Sequence, residues 1–248
     1  MKHTITRVKH DVKMRHLSVA QVERITPNMI RIVFTGDDLT DFISLAPDDH
    51  VRLFFPVLGG EAESRHYTPR KFDTVNRTLV IDFAVHEAGP ATQWALHARP
   101  GDRLQVGGPR GSAVVPDDFD WWLLIGDESA LPTIGRRIEE MRAGIKVISI
   151  VSVAGAADEQ RFETNAEHQA IWIHRPHARA DDPQPVLAAL QGISFPPGDG
   201  FIWVGTEAGV ARAVRDYLGN ACGHHAAWTK VSGYWIKGKA DAHEKFDN

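Results

Sequence analysis

Cysteine is almost absent from this chain: of 248 residues only Cys222 carries a thiol. A single thiol forms no intrachain disulfide and cannot supply the four thiolates of an iron–sulfur cluster. Any iron chemistry must therefore concern iron brought in by a ligand. No run approaches the ~18 to 20 apolar residues of a spanning helix. The basic N-terminal segment, with Lys2, Arg7, Lys9, Lys13, Arg15 and Arg24, lacks the apolar core of a secretory signal. A soluble, cytoplasmic protein without a membrane span is expected. An overall basic excess is missing as well, because the formal charge is −4, so no nucleic-acid partner is expected. Thirteen histidines do not announce a metal: His224-His225 is an adjacent pair, and no His-x-x-x-His sits beside a carboxylate on a convincing helix. The dinucleotide fingerprint Gly-x-Gly-x-x-Gly, internal repeats and low-complexity tracts are also lacking.

What is present divides into two rhythms. With 43% hydrophobic residues the chain can bury a substantial core. Up to about residue 115 it reads as short strands, among them Gln21–Phe34, His50–Pro56, Leu79–Val85 and Arg103–Val106, set between Gly, Pro and Asp punctuation. That spacing suits a small antiparallel barrel. Beyond Asp117 strand and helix alternate: Trp121–Ile125, Leu131–Ala143, Lys146–Val153, then Ile171–Ile173, Val186–Leu190, Phe201–Val204 and Val210–Leu218. This pattern calls for a parallel α/β domain. The expected organisation is a barrel domain over 1–117 and an α/β domain over 118–248.

Two clusters in the first part carry chemistry. In Arg65-His66-Tyr67-Thr68-Pro69-Arg70, an extended backbone puts Arg65 and Tyr67 on one side. A guanidinium can pair with a pyrophosphate, a phenol can lie on an aromatic ring system, and the Thr68 hydroxyl can bond a ring edge. Together they are tools for holding a flavin, although the six residues alone also read as a polar strand end stopped by Pro69. After the apolar run Leu79–Val85 and His86 comes Gly89-Pro90-Ala91-Thr92, at the start of a helix through Trp94. Small residues and free helix-start N–H groups favour anionic oxygens, yet Gly-Pro before a helix is also an ordinary turn.

In the second part, a nucleotide would sit at the carboxyl ends of the parallel strands. The expected loops are Gly126-Asp127-Glu128-Ser129 and Gly205-Thr206-Glu207-Ala208-Gly209. Asp127 and Glu128 would repel a pyrophosphate laid directly on them. No acidic ribose ligand follows Val153, where Ala154 stands, and His174, Arg175 and Arg179 are the cations available for a 2′-phosphate.

The sequence resembles the siderophore-interacting protein family, a branch of the ferredoxin-reductase-like flavoproteins. The matching stretches are Asp49–Pro56, Arg65–Arg70, Asp82–His86, Gly89–Ala95, Gly108–Gly111, Gly126–Pro132, Trp203–Glu207 and Gly233–Trp235, in order along nearly the whole chain. The resemblance implies an FAD-dependent ferric-siderophore reductase: a barrel binding FAD, followed by an NAD(P)H-binding-like domain. It implies cofactor contacts at Arg65, His66, Tyr67, Thr68, Asp82, Phe83, Val85, His86, Gly89, Pro90, Ala91, Thr92, Trp94 and Trp235, and nucleotide contacts along Asp127, Glu128, Gly205, Thr206 and Glu207. Arg52, Arg110 and Lys237 match positions where the family presents basic side chains to an anionic ferric chelate, although Ile236 stands where an arginine is frequent. NADPH, NADH or a ferredoxin is the implied donor, and a monomer is expected. No acid, base or nucleophile from the protein is required. A flavin reductase with another acceptor, or a non-enzymatic flavin- or siderophore-binding protein, would present much the same sequence.

Overall fold

The computed structural model describes residues 3–57, 60, 62–85 and 89–246. The chain divides into two units, Met1–Pro116 and Asp117–Asn248.

The first unit is an antiparallel sheet built from period-2 strands. It comprises β1 (Thr6–Lys9), β2 (Met14–Thr26), β3 (Met29–Thr35), β4 (Val51–Phe55), β5 (Glu63–Tyr67), β6 (Lys71–Asp73), β7 (Thr78–Ala84), helix α1 (Pro90–His97), β8 (Arg103–Gly107) and β9 (Gly111–Val114). Seven strands run in the order β5-β4-β8-β2-β3-β7-β6, while β1 pairs only with β9. Every second residue turns inward: Leu17 and Val19, Ile30, Ile32 and Phe34, Val51, Leu53 and Phe55, Leu79, Ile81 and Phe83, Leu104 and Val106 form one core. Each such large side chain contributes roughly 1.5 to 3 kcal/mol by leaving water. The sheet curls, since the Tyr67 ring on edge strand β5 lies 4.5 Å from the Phe83 ring on β7, at the far side of the strand order. Helix α1 stops the open end, with Ala91 and Ala95 buried and Trp94 against Phe34, Phe55 and Phe83. The stretch read from sequence as one segment, Gln21–Phe34, is two strands. Pro27, which cannot donate to a ladder, and Asn28 make the hairpin turn between β2 and β3.

The second unit holds β10 (Trp121–Asp127), α2 (Leu131–Glu139), β11 (Lys146–Val153), β12 (Glu167–His174), α3 (Gln184–Gln191), β13 (Gly200–Glu207), α4 (Ala208–Asn220), β14 (Thr229–Trp235) and β15 (Glu244–Lys245). The order is β12-β11-β10-β13-β14-β15, parallel except for β15. β10 and β13 are buried along their whole length, as expected of central strands covered on both faces. Strand order reverses between β10 and β13, which makes their carboxyl ends the switch point where α/β sheets bind ligands. Gly126 is required there: a Cβ would lie 2.7 Å from the Ala130 Cβ and 2.9 Å from the Gly205 carbonyl oxygen, so only glycine lets α2 start this close to the sheet. Among the described residues no helix is long and apolar enough to cross a membrane.

Candidate functional site

In the barrel, the β4–β5 register sets Arg65 opposite Leu53 and Tyr67 opposite Val51, so both share the core-facing side; His66, exposed, lies opposite Arg52 on the other face. Tyr67 packs against Phe55 and Phe83, and Phe55 also meets Trp94 of α1. This aromatic cluster brings the Arg65–Thr68 strand end to the helix that opens at Gly89. Burial pushes the Tyr67 phenol well above its usual range, with the Arg65 charge pulling the other way. The phenol is therefore a neutral hydrogen-bonding group at physiological pH. The Arg65 guanidinium, 24% exposed, is held 2.7 Å from Glu63. Helix α1 begins with Gly89 and Pro90 and has no side-chain cap, and a Cβ on Gly89 would meet nothing within 4 Å. The barrel thus carries a cation at Arg65, an aromatic ring at Tyr67 and helix-start N–H groups at α1 without a side-chain cap, while Thr68 is buried. That set fits the diphosphate and the ring system of FAD.

Not every expected cofactor contact presents its side chain to this face. Asp82 has a side chain 1% exposed and is clamped by Arg31 through bonds of 2.7 and 2.8 Å, with Arg70 3.8 Å away. Phe83 is likewise buried in the core, because β7 alternates strictly and its inward residues fill the barrel. Trp94 is half-buried in the aromatic cluster, Ala91 and Thr92 are buried, and the Val85 amide donates to the Asn28 carbonyl oxygen at 2.9 Å. His86 lies outside the described residues.

Arg52 and Arg110 come together at one end of the barrel. Arg52 pairs with Gly107 across β4 and β8, and the exposed Arg110 follows in the β8–β9 turn. Lys237 belongs to the other unit, where its ammonium bonds the Ala178 carbonyl oxygen and pairs with Asp181 at 2.6 Å.

The nucleotide stretches differ most from expectation. Gly205-Thr206-Glu207 is not a loop: it completes β13, which runs straight into α4. Glu207 caps that helix, its Oε2 accepting from the Gly209 and Val210 amides at 2.6 and 3.2 Å. Gly126 and Asp127 similarly end β10. Asp127, 1% exposed, is a hub. Its Oδ1 accepts from the Ser129 amide at 2.9 Å and hydroxyl at 2.5 Å. Its Oδ2 accepts from the Thr206 hydroxyl at 2.9 Å, the Glu207 amide at 3.1 Å and Trp235 Nε1 at 2.9 Å. The Trp235 indole is stacked on His177. Glu128 receives a bidentate bond from Arg175, at 3.2 and 2.8 Å. The other proposed 2′-phosphate cations are also engaged, His174 by Glu159 at 2.8 Å and Arg179 by Asp182. Among the described residues no cluster of three or more His, Cys, Asp or Glu could hold a metal ion.

Burial, reinforced by the charge of Asp127, pushes the Glu128 carboxyl up to about 7 in spite of Arg175. A carboxyl that binds its proton more tightly when folded stabilises the fold fully below its unfolded value of 4.5, and the contribution is lost as pH rises through about 7. The Tm of the parent relative to that of Glu128→Gln should therefore fall between about pH 5 and pH 8. A pH-independent difference would show that Glu128 titrates as an ordinary carboxylate.

Comparison with known proteins matches both units. Residues 119–238 fit the family model described as siderophore-interacting protein, and residues 18–64 and 59–113 fit the siderophore-interacting FAD-binding domain. The NADPH-dependent ferric-chelate reductase of Escherichia coli (strain K12) is 37% identical over 227 residues, 83% of this chain and 87% of that protein. The ferric vibriobactin reductase of Vibrio cholerae is 29% identical over 249 residues, 91% and 90% of the two chains. The crystal structure of a siderophore utilization protein from T. fusca superposes with a TM-score of 0.89 at 35% identity, covering 97% of this chain and 98% of the other.

Proposed function

The chain belongs to the siderophore-interacting protein family, and from that premise we propose that it is an FAD-dependent reductase of ferric siderophores drawing electrons from NADPH in the cytoplasm. The observation that carries the reading is that Arg65 and Tyr67 share one face of β5 and that Tyr67 joins α1 through the Phe55 and Trp94 rings, with no side chain capping the start of that helix. Arg65 and the α1 amides would hold the diphosphate, Tyr67 would face the ring system, and Thr68 would bond its edge. The bound flavin supplies the conversion between two-electron and one-electron transfer. The reaction requires no general acid, base or nucleophile from the chain, whose work is to bind, orient and attract. Hard oxygen chelators hold Fe(III) far more tightly than Fe(II), so reduction loosens the metal.

The purified protein should be yellow, bleach under anaerobic NADPH, and recover its colour on addition of a ferric siderophore. Bleaching without recovery would leave a flavoprotein with a different acceptor. A second reading, in which a reduced iron–sulfur protein replaces NADPH, is favoured by the engagement of His174, Arg175, Arg179 and Lys237 by carboxylates. Fast bleaching by ferredoxin and slow bleaching by NADPH would select it.

Arg52 and Arg110 are assigned to capture of the anionic chelate. Attraction at an open surface is screened over a Debye length of ~8 Å at physiological salt. Reoxidation by an anionic ferric chelate should slow as salt rises, and Arg52→Ala or Arg110→Ala should slow it further and flatten that dependence. Equal losses with a neutral chelate would assign the two arginines to structure instead.

A further inference from the structure

Four cations along the carboxyl edge of the α/β sheet are paired with carboxylates, and three of the pairs lie in solvent. His174 with Glu159, Arg179 with Asp182 and Lys237 with Asp181 all have side chains 22% to 69% exposed. The fourth, Arg175 with Glu128, is 6% and 11% exposed. Arg175 follows β12, and its amide donates to the Val153 carbonyl oxygen at the end of β11. From there its guanidinium reaches past β11 to Glu128, the residue after β10 at the switch point. A cation has thus been carried across one strand to the place where the first strand–helix turn of such a sheet receives a pyrophosphate. Its fork is occupied by a carboxylate from that turn.

We propose that Glu128 is a placeholder for a nucleotide phosphate: it occupies the Arg175 guanidinium in the free protein and yields it to the pyrophosphate of the incoming nicotinamide dinucleotide. This rests on the reductase reading and names the residue pair that controls access of its donor. Guanidinium presents the same bidentate fork to a phosphate as to a carboxylate. The alternative anion position on the other side of the switch point, the start of α4, is already filled by the Glu207 carboxylate. The Glu128 carboxylate is also held at a disadvantage. It is desolvated, it stands next to Asp127, and its proton affinity is raised even with Arg175 in place. Breaking a relaxed buried pair would cost several kcal/mol, whereas repulsion from Asp127 lowers the cost of exchanging this one.

The test is binding of oxidised nucleotides by isothermal titration calorimetry, which involves no turnover. Glu128→Gln should tighten both NADP⁺ and NAD⁺ by on the order of tenfold, since a like charge is removed and the fork is released. Arg175→Met should weaken both, and in the double variant the gain from Glu128→Gln should vanish. If Glu128→Gln does not fold, as judged by circular dichroism, Glu128→Asp should fold and give a smaller gain, because it keeps the charge but draws it back by one methylene. Unchanged or weaker nucleotide binding in a folded variant overturns the proposal. Tightening of NADP⁺ alone overturns the pyrophosphate assignment in favour of the 2′-phosphate, and a gain that persists without Arg175 overturns the exchange. Reoxidation of the chemically reduced protein by a ferric siderophore is the separate control. If it succeeds while nucleotide binding is indifferent to Glu128, only the placeholder falls; if it fails, the reductase reading falls.

Discussion

Asp127→Ala is expected to destabilise the α/β unit by about 3 kcal/mol or more, since several buried donors lose their acceptor at about 1 to 3 kcal/mol each. The carboxylate is 1% exposed and holds the ends of three adjacent strands together: its own β10, β13 through Thr206 and Glu207, and β14 through Trp235. Alanine leaves the Thr206 hydroxyl, the Glu207 amide and the Trp235 indole N–H without their acceptor. Asp127→Asn should cost less, because one oxygen survives, but its new amide group meets N–H donors and cannot serve all of them. Urea denaturation followed by tryptophan fluorescence would report the change. A loss below about 1 kcal/mol for the alanine variant would mean that the hub is dispensable.

Arg65→Ala is expected to weaken FAD binding ten- to a hundredfold while leaving the barrel folded. A charge-assisted bond to a phosphate contributes about 1.5 to 3 kcal/mol, which converts to that range of affinity. The guanidinium is 24% exposed, and β5 is an edge strand, so little packing is lost with it. Arg65→Lys should restore part of the affinity, because a point charge remains but the planar fork does not. FAD titrated into deflavinated protein, read by quenching of flavin fluorescence, gives the constants. An unchanged constant for Arg65→Ala would move the diphosphate site elsewhere.

The fold was legible because both units obey simple periodicities. Val51, Leu53 and Phe55, or Leu79, Ile81 and Phe83, alternate inward without exception, and the apolar run at Trp121–Ile125 is buried on both faces. In the proposed flavin site, the shared face of Arg65 and Tyr67 was legible, because it follows from alternation within five residues. The same alternation sends Phe83 into the barrel interior and Asp82 to the opposite face, where the partner that lets it be buried, Arg31, is 51 residues away in sequence. Distance in sequence also hid the roles of the acidic residues in the second unit. Asp127 finds Thr206 79 residues later and Trp235 108 residues later, and Glu128 finds Arg175 after 47. Read locally, those carboxylates could only appear as repulsive to phosphate. In sequence Glu207 reads as part of a loop, because glutamate is not among the preferred N-cap residues. The signal that could have identified it is the strand Phe201–Val204 running, without Gly-Pro punctuation, toward the apolar pattern of Val210, Ala211, Val214 and Leu218.

The position of Arg65 on an edge strand bears on more than cofactor affinity. Among the described residues β5 pairs with β4 alone, so its outer backbone amides and carbonyls are a template on which a strand of another molecule could add. Glu63 and Arg65, charged and half-exposed on that strand, act as gatekeepers against such addition. A variant that loses Arg65 should therefore aggregate faster when stripped of its flavin than when loaded with it, which light scattering during deflavination would reveal.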